Sequence, residues 1–140
     1  MKALTICQPY AELFMLGDKR VENREWATNY RGPLLIHAGK SKEWLMPGDL
    51  QRFPDMPFGA IVGRVNLVEC IHVSNANRLA ASDPQRFGWV PNHDHTNGPF
   101  LWITEDTHRL LNPMPCRGAQ GLWDYANWID EAEMIPVLLR

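Results

Sequence analysis

The sequence predicts an α+β domain built on a small, closed or nearly closed β-barrel. Three observations lead there. The strongest apolar run, Gly59–Val73 (GAIVGRVNLVECIHV), is dense in β-branched and aliphatic residues and carries glycines where a barrel strand bends. Eleven prolines are spread along 140 residues, which keeps elements short and argues against a long-helix bundle. One early helix is plainly punctuated, by Pro9 at its start and Gly17 at its end.

The elements follow in order. Met1–Ile6 reads as a short strand. Tyr10, Leu13, Phe14 and Leu16 form the apolar stripe of the Pro9–Leu16 helix. Asp18–Trp26 alternates with period two and reads as a strand. Its parity sets Lys19, Val21, Asn23 and Glu25 on one face and Arg20, Glu22, Arg24 and Trp26 on the other. Leu34–Ala38 is a buried strand, and residues 39–58 form a loop with a helical turn around Glu43–Leu45. Ser74 caps a helix through Ala81, and residues 83–98 form a polar loop rich in Pro, Gly, Asn and His. Two separate strands are expected at Phe100–Thr104 and Arg109–Leu111. A tight turn at Gly118–Gly121 precedes Leu122–Tyr125. Asn127 caps a last helical turn, the acidic stretch Asp130–Glu133 is a solvated helix face, and Ile135–Leu139 is a closing strand.

Composition bounds the function. A single domain, residues 1–140, buries about 70% of its unfolded surface and needs neither disulfide nor metal to fold. Hydrophobic residues make up 45% and charged residues 21%, which excludes a wholly disordered or collagenous chain. No apolar run reaches the ~18 residues of a membrane span, and the start is broken too soon for a signal peptide. Cys7, Cys70 and Cys116 are odd in number and widely spaced, as expected of reduced thiols in a cytoplasmic protein. The net charge of −2 hides an asymmetry. Residues 1–42 hold seven bases against four acids, and the remainder seven bases against twelve acids. A basic N-terminal third suits one anion-binding face, whereas a pI of about 6.2 argues against a broad nonspecific duplex binder.

Several residue types invite chemistry. Lys19 and Arg24 supply a point charge and a planar fork for phosphate, and Glu22 beside them orients the fork or accepts from a base amino group. By spacing alone the same residues make a surface ion-pair ladder. Trp26 follows Arg24 on the same parity and is the better candidate for a stacking platform, while Tyr30 and Trp102 stay open between platform and core. Trp123 is assigned to the core. His93-Asp94-His95 lacks further ligands at metal spacing, so the loop reads as solvated or as a lid and no metal or other cofactor is expected. His37, after Leu34-Leu35-Ile36, reads as a hydrogen-bonded core or rim histidine that could face a cleft.

Gly17-Asp18-Lys19-Arg20-Val21-Glu22-Asn23-Arg24 fits the pattern GxKxxExR. It is flanked by Gln8-Pro9, by Tyr30-Arg31-Gly32-Pro33-Leu34 and by a late Gly121-Leu122-Trp123. In this order the pieces resemble the ASCH domain family (activating signal cointegrator homology), within the PUA-like superfamily, over nearly the whole chain. The resemblance implies a PUA-like β-barrel with short helices around a cleft lined by the hallmark. It implies a nucleic-acid-binding module for RNA or single-stranded DNA, in which a splayed or modified nucleotide meets Lys19, Glu22, Arg24, Trp26, Tyr30 and Arg31. The rival reading is an enzyme, a metal-independent ribonuclease or an amidohydrolase of a modified nucleoside, with Lys19 and Glu22 as candidate catalytic residues. The amidohydrolase pattern carries Thr three residues after the hallmark Lys. Here Glu22 stands there, and a carboxylate does not replace a hydroxyl in acyl transfer without changing the mechanism.

Overall fold

Seven strands hydrogen-bond into one mixed sheet in a computed structural model that describes residues 1–140. In chain order they are β1 (Lys2–Ile6), β2 (Val21–Arg24), β3 (Gly32–Ala38), β4 (Ala60–His72), β5 (Phe100–Pro115), β6 (Leu122–Asp124) and β7 (Met134–Pro136). The order across the sheet is β2-β5-β4-β3-β1-β6, with β7 paired to β5. The β1–β3 pair is parallel, and β1–β6, β2–β5 and β5–β7 are antiparallel. Four short helices join them: α1 (Tyr10–Met15), α2 (Asp49–Arg52), α3 (Ala76–Ser82) and α4 (Pro84–Phe87). The fold is therefore α+β, a β-sheet protein with short helices, as the sequence predicts. No helix is long and apolar enough to cross a membrane.

The chain gathers into two compact units. The first holds Met1–Asp18, Pro33–Val65 and Asp106–Arg140, and the second Lys19–Gly32 and Asn66–Glu105. In the first, Ala3, Leu35, Ile61, Leu110, Tyr125 and Met134 pack together, with Trp123 and Ile129 against them. Trp123 thus flanks the core to which the sequence assigned it. In the second, Val21, Ala76, Phe87, Val90, Leu101 and Ile103 form the core.

Helix α1 ends as its sequence dictates. Gly17 sits at φ +83°, Asp18 N–H donates to the Leu13 carbonyl and Gly17 N–H to the Phe14 carbonyl. That is the paired pattern of a glycine-terminated helix. A Cβ on Gly17 would run into the Leu138 carbonyl, so this first residue of the hallmark serves the backbone.

Several elements differ from expectation. The strand expected over Asp18–Trp26 is confined to Val21–Arg24, because Asp18 completes the cap of α1 and Glu25–Trp26 bend away. The helix expected from Ser74 starts at Ala76, behind a 3-10 turn at Val73–Asn75 whose cap is His72, accepting from Ser74 N–H. The loop at 83–98 contains α4 and a 3-10 turn, Val90–Asn92, and both contribute core residues, Phe87 and Val90. Asp83 caps α4 through Arg86 N–H, and Pro84 takes its first position. The two strands expected at 100–104 and 109–111 are one strand, β5. Asp106 at φ +54° absorbs the local kink without ending the pairing, since Arg109 still faces Ile135 of β7. Near the C-terminus the helical turn is Glu131–Glu133, capped by Asp130, and the closing strand is Met134–Pro136.

Candidate nucleic-acid interface

Antiparallel pairing of β2 with β5 sets Val21 opposite Ile103, Glu22 opposite Trp102, Asn23 opposite Leu101 and Arg24 opposite Phe100. Directly opposed residues share a face. Val21, Leu101 and Ile103 therefore enter the core of the second unit, while Glu22, Arg24, Phe100 and Trp102 share the other face.

On that face Glu22 joins two cations. Arg24 donates from Nε and Nη2 to Glu22 Oε2, at 3.1 and 2.8 Å. Lys19 Nζ lies 3.4 Å from Oε1. Side-chain exposure rises along the series, 3% for Lys19, 12% for Glu22 and 24% for Arg24. Alternation put Lys19 on the opposite face from Glu22. It meets Glu22 because it precedes the strand and is not bound by strand parity. Burial pushes the Lys19 ammonium below its usual range, Glu22 opposes that shift by charge and hydrogen bond, and Arg24 adds to it. The cluster carries one net positive charge, presented through Arg24.

Trp26 is 38% exposed, and its ring meets Trp102 edge to face, with centroids 4.8 Å apart. Trp102 is fully buried and its indole N–H donates to the Trp26 carbonyl at 3.2 Å. Both the ring and the backbone of Trp26 are thus held before any ligand arrives. Tyr30 and Arg31 belong to the turn that follows. Tyr30 N–H donates to Thr28 Oγ1, and Arg31 Nη1 donates to the Thr28 and Tyr30 carbonyls. Arg31 Nη2 lies 3.8 Å from Glu69. Arg31 is therefore engaged by its own turn and by an acid.

Arg20 departs from its expected face. Its guanidinium stacks on Trp89 at 3.8 Å from the ring centroid, and its carbonyl accepts from both Thr104 N–H and the Thr104 hydroxyl. The Arg20 N–H donates to His93 Nε2 at 3.1 Å, which leaves the His93 proton on Nδ1. His93 is half-buried, and burial, then the neighbouring His95, Arg20 and Lys19, hold its pKa down at about 4. The His93-Asp94-His95 segment is consequently a packed strut, where the sequence suggested a solvated loop or a lid. No three His, Cys, Asp or Glu side chains converge as a metal ligand set.

Asn23 escaped the sequence reading. Its side chain donates to the His95 carbonyl at 2.8 Å and accepts from Asn97 and Gly98 N–H, at 3.0 and 2.7 Å. It ties the 95–98 segment to β2. The available signal was an amide at a variable hallmark position, two residues after Val21 on the parity that faces the core. In the first unit, His37 is buried, with Nδ1 3.1 Å from Thr5 Oγ1 and Nε2 2.9 Å from the Cys116 carbonyl. It is a buried histidine with both ring nitrogens partnered.

The structure is a small mixed-sheet fold that carries a cation–carboxylate–cation cluster at β2 and a braced tryptophan just beyond that strand. The ASCH domain model matches residues 4–135, and the chain belongs to the ASCH domain family, a family associated with nucleic-acid binding. It is 28% identical over 133 residues to Activating signal cointegrator 1 of Homo sapiens, and equally to that of Mus musculus. Those matches cover 86% of this chain but only 21% of either relative, so the chain spans about a fifth of their length. Among solved structures, the crystal structure of ASCH from Zymomonas mobilis matches with a TM-score of 0.51 at 13% identity. It covers 94% of this chain and 89% of that one, and the likeness is one of fold.

Proposed function

We propose that the chain works as a single ASCH domain that binds a short single-stranded nucleic acid, RNA or DNA, and takes one splayed nucleotide against the hallmark face. The observation that carries this reading is the Glu22 carboxylate shared between Lys19 and Arg24. It fixes a guanidinium fork at the surface, beside a tryptophan already held by its neighbour. Arg24 then reads a phosphate or a base edge, and Trp26 stacks on the base. Lys19 is buried and acts by fixing Glu22 and by adding charge. Tyr30 and Arg31 extend the surface from the next turn. The family match supports nucleic acid as the ligand class, and the mildly acidic whole chain supports a small pocket over a broad duplex surface.

A panel of short RNA and DNA oligonucleotides, with normal and modified bases, tests this by fluorescence anisotropy. Arg24→Ala is expected to weaken the best ligand by about 1–3 kcal/mol and to relax its base preference. No saturable binding by the parent protein, or full affinity in Arg24→Ala, would sink the proposal.

The rival catalytic reading has one observation in its favour. Lys19, its pKa lowered by burial, lies 3.4 Å from a carboxylate, an arrangement that suits proton transfer. Running the same oligonucleotides on a gel decides between the two, because cleavage lost in Lys19→Met would favour catalysis. Release of acetate from acetylated cytidine would do the same for the amidohydrolase form.

A further inference from the structure

The first unit contains a cavity of about 490 Å³ lined by Thr5, His37, Lys40, Cys116, Arg117 and Gln120, together with Gly39, Gly118 and Ala119. Its charged side chains are both basic, Lys40 and Arg117, and no carboxylate lines it. Neither cation takes part in an ion pair of the protein. Two like charges on one concave wall repel each other unless an anion lies between them.

Lys40 is held along its stem, and the backbone that leads into Arg117 is fixed. The stem of Lys40 lies on the backbone of Gly59, where a Cβ would come within 2.9 Å of Lys40 Cε. Arg117 follows Cys116, and a hydrogen-bond chain fixes the Cys116 carbonyl. A carbonyl only accepts, so His37 Nε2 carries the ring proton and donates to it at 2.9 Å. His37 Nδ1 is then an acceptor, to which the Thr5 hydroxyl donates at 3.1 Å, while Trp123 Nε1–H donates to Thr5 Oγ1 at 3.1 Å. The register of β1 on β3 places Thr5 beside His37, so the two strands set this chain. Gly118 closes over it, since a Cβ there would lie 2.6 Å from both Thr5 Oγ1 and His37 Cε1.

We propose that this cavity is a second anion site, formed by residues outside the hallmark, and that it binds the phosphate group of a nucleotide-sized ligand between Lys40 and Arg117. An Arg fork beside a Lys point charge matches a phosphate dianion, and the volume lies in the range of small-molecule sites. The polar groups beneath are committed to one another. The Thr5 hydroxyl is bonded on both sides, and burial pushes the Cys116 thiol up, away from the nucleophilic thiolate. The cavity therefore binds its ligand and performs no covalent step.

The phosphate could belong to a free mononucleotide or to the end of an oligonucleotide, and NMR titration of the labelled full chain separates these. Inorganic phosphate, 5′-UMP, and one oligonucleotide with and without a 5′-phosphate are added in turn at matched ionic strength. The Trp123 indole N–H and the Gly39 and Gly118 amides are expected to shift saturably with phosphate and 5′-UMP but not with chloride. Lys40→Gln and Arg117→Gln are each expected to weaken binding about tenfold, and the pair to abolish it. Both residues are exposed, so these variants keep the core intact. Tighter binding of the 5′-phosphorylated oligonucleotide than of its 5′-hydroxyl form assigns the site to a strand end. Equal binding of the two, with 5′-UMP retained, assigns it to the free nucleotide. No saturable shift, the same shift with chloride, or unchanged affinity in the double variant overturns the proposal. The Arg24→Ala measurement is separate, so either site can fail without the other.

Discussion

Arg24 grips a single oxygen of Glu22: its Nε and Nη2 converge on Oε2 at 3.1 and 2.8 Å. The other oxygen is left to Lys19. The grip exists because residues two apart on a strand share a face. Its consequence is a positioned guanidinium and a buried ammonium that share one carboxylate.

Glu22→Gln leaves the buried Lys19 without its counter-charge. Urea unfolding is expected to show a loss of about 2–3 kcal/mol, somewhat below that of a fully buried broken pair. Lys19→Met in the same chain should recover much of that loss, because the charge needing a partner has gone. A double variant no more stable than Glu22→Gln alone would mean that Glu22 matters to folding for some other reason.

Trp26→Ala should weaken oligonucleotide binding by about 1–3 kcal/mol, the range of one base stacked on one ring. Trp26→Phe should retain most of the affinity. Trp26 is partly exposed, so the thermal midpoint should move little in either variant. Equal losses in Ala and Phe would remove stacking from the account.

Acid should destabilise the fold through His93. Its pKa is about 4 in the folded protein, against an ordinary value of 6.5. Between those two values the unfolded chain binds more protons than the folded one, so stability falls as pH drops from about 6.5 towards 4. Below that window this group costs nothing further. Because the ring is half-buried, solvent screening reduces the effect to about 1–2 kcal/mol. His93→Gln keeps an acceptor for Arg20 N–H and should flatten this part of the pH–stability curve. An unchanged slope would assign the acid sensitivity elsewhere.

Gly17→Ala and Gly17→Asn should both destabilise by about 2–3 kcal/mol, from strain at positive φ together with a clash against the Leu138 carbonyl. Asn tolerates the left-handed region, so if φ alone mattered it would be nearly neutral. Equal damage in urea unfolding identifies the close approach as the cause.

Much of this protein is local and was legible in the sequence. The α1 helix is written in Pro9, its apolar stripe and Gly17, and β4 in the aliphatic run from Gly59. The period of two brought Glu22 and Arg24 to one face, because strand parity is a property of the backbone alone. What failed lay where local signals compete with distant partners. Asp18 reads as the start of a strand but belongs to a helix end, which freed Lys19 to reach Glu22. Glu105-Asp106 looks like a break, yet pairing with β7 carries β5 onward past it. The 83–98 segment is polar in composition, and only packing shows that Phe87 and Val90 enter a core while His93 takes a backbone proton.

The sequence by itself determined the fold class, the hallmark face and the family resemblance, since periodicity, caps and motif order are carried by neighbours along the chain. Tertiary structure alone decided which side chains are buried and which charges meet. Thr5, His37 and Cys116 stand far apart in the chain, and only the pairing of β1 with β3 and the return of the 116–121 segment bring them together. Burial and charge pairing are set by such long-range contacts, and no local pattern encodes them.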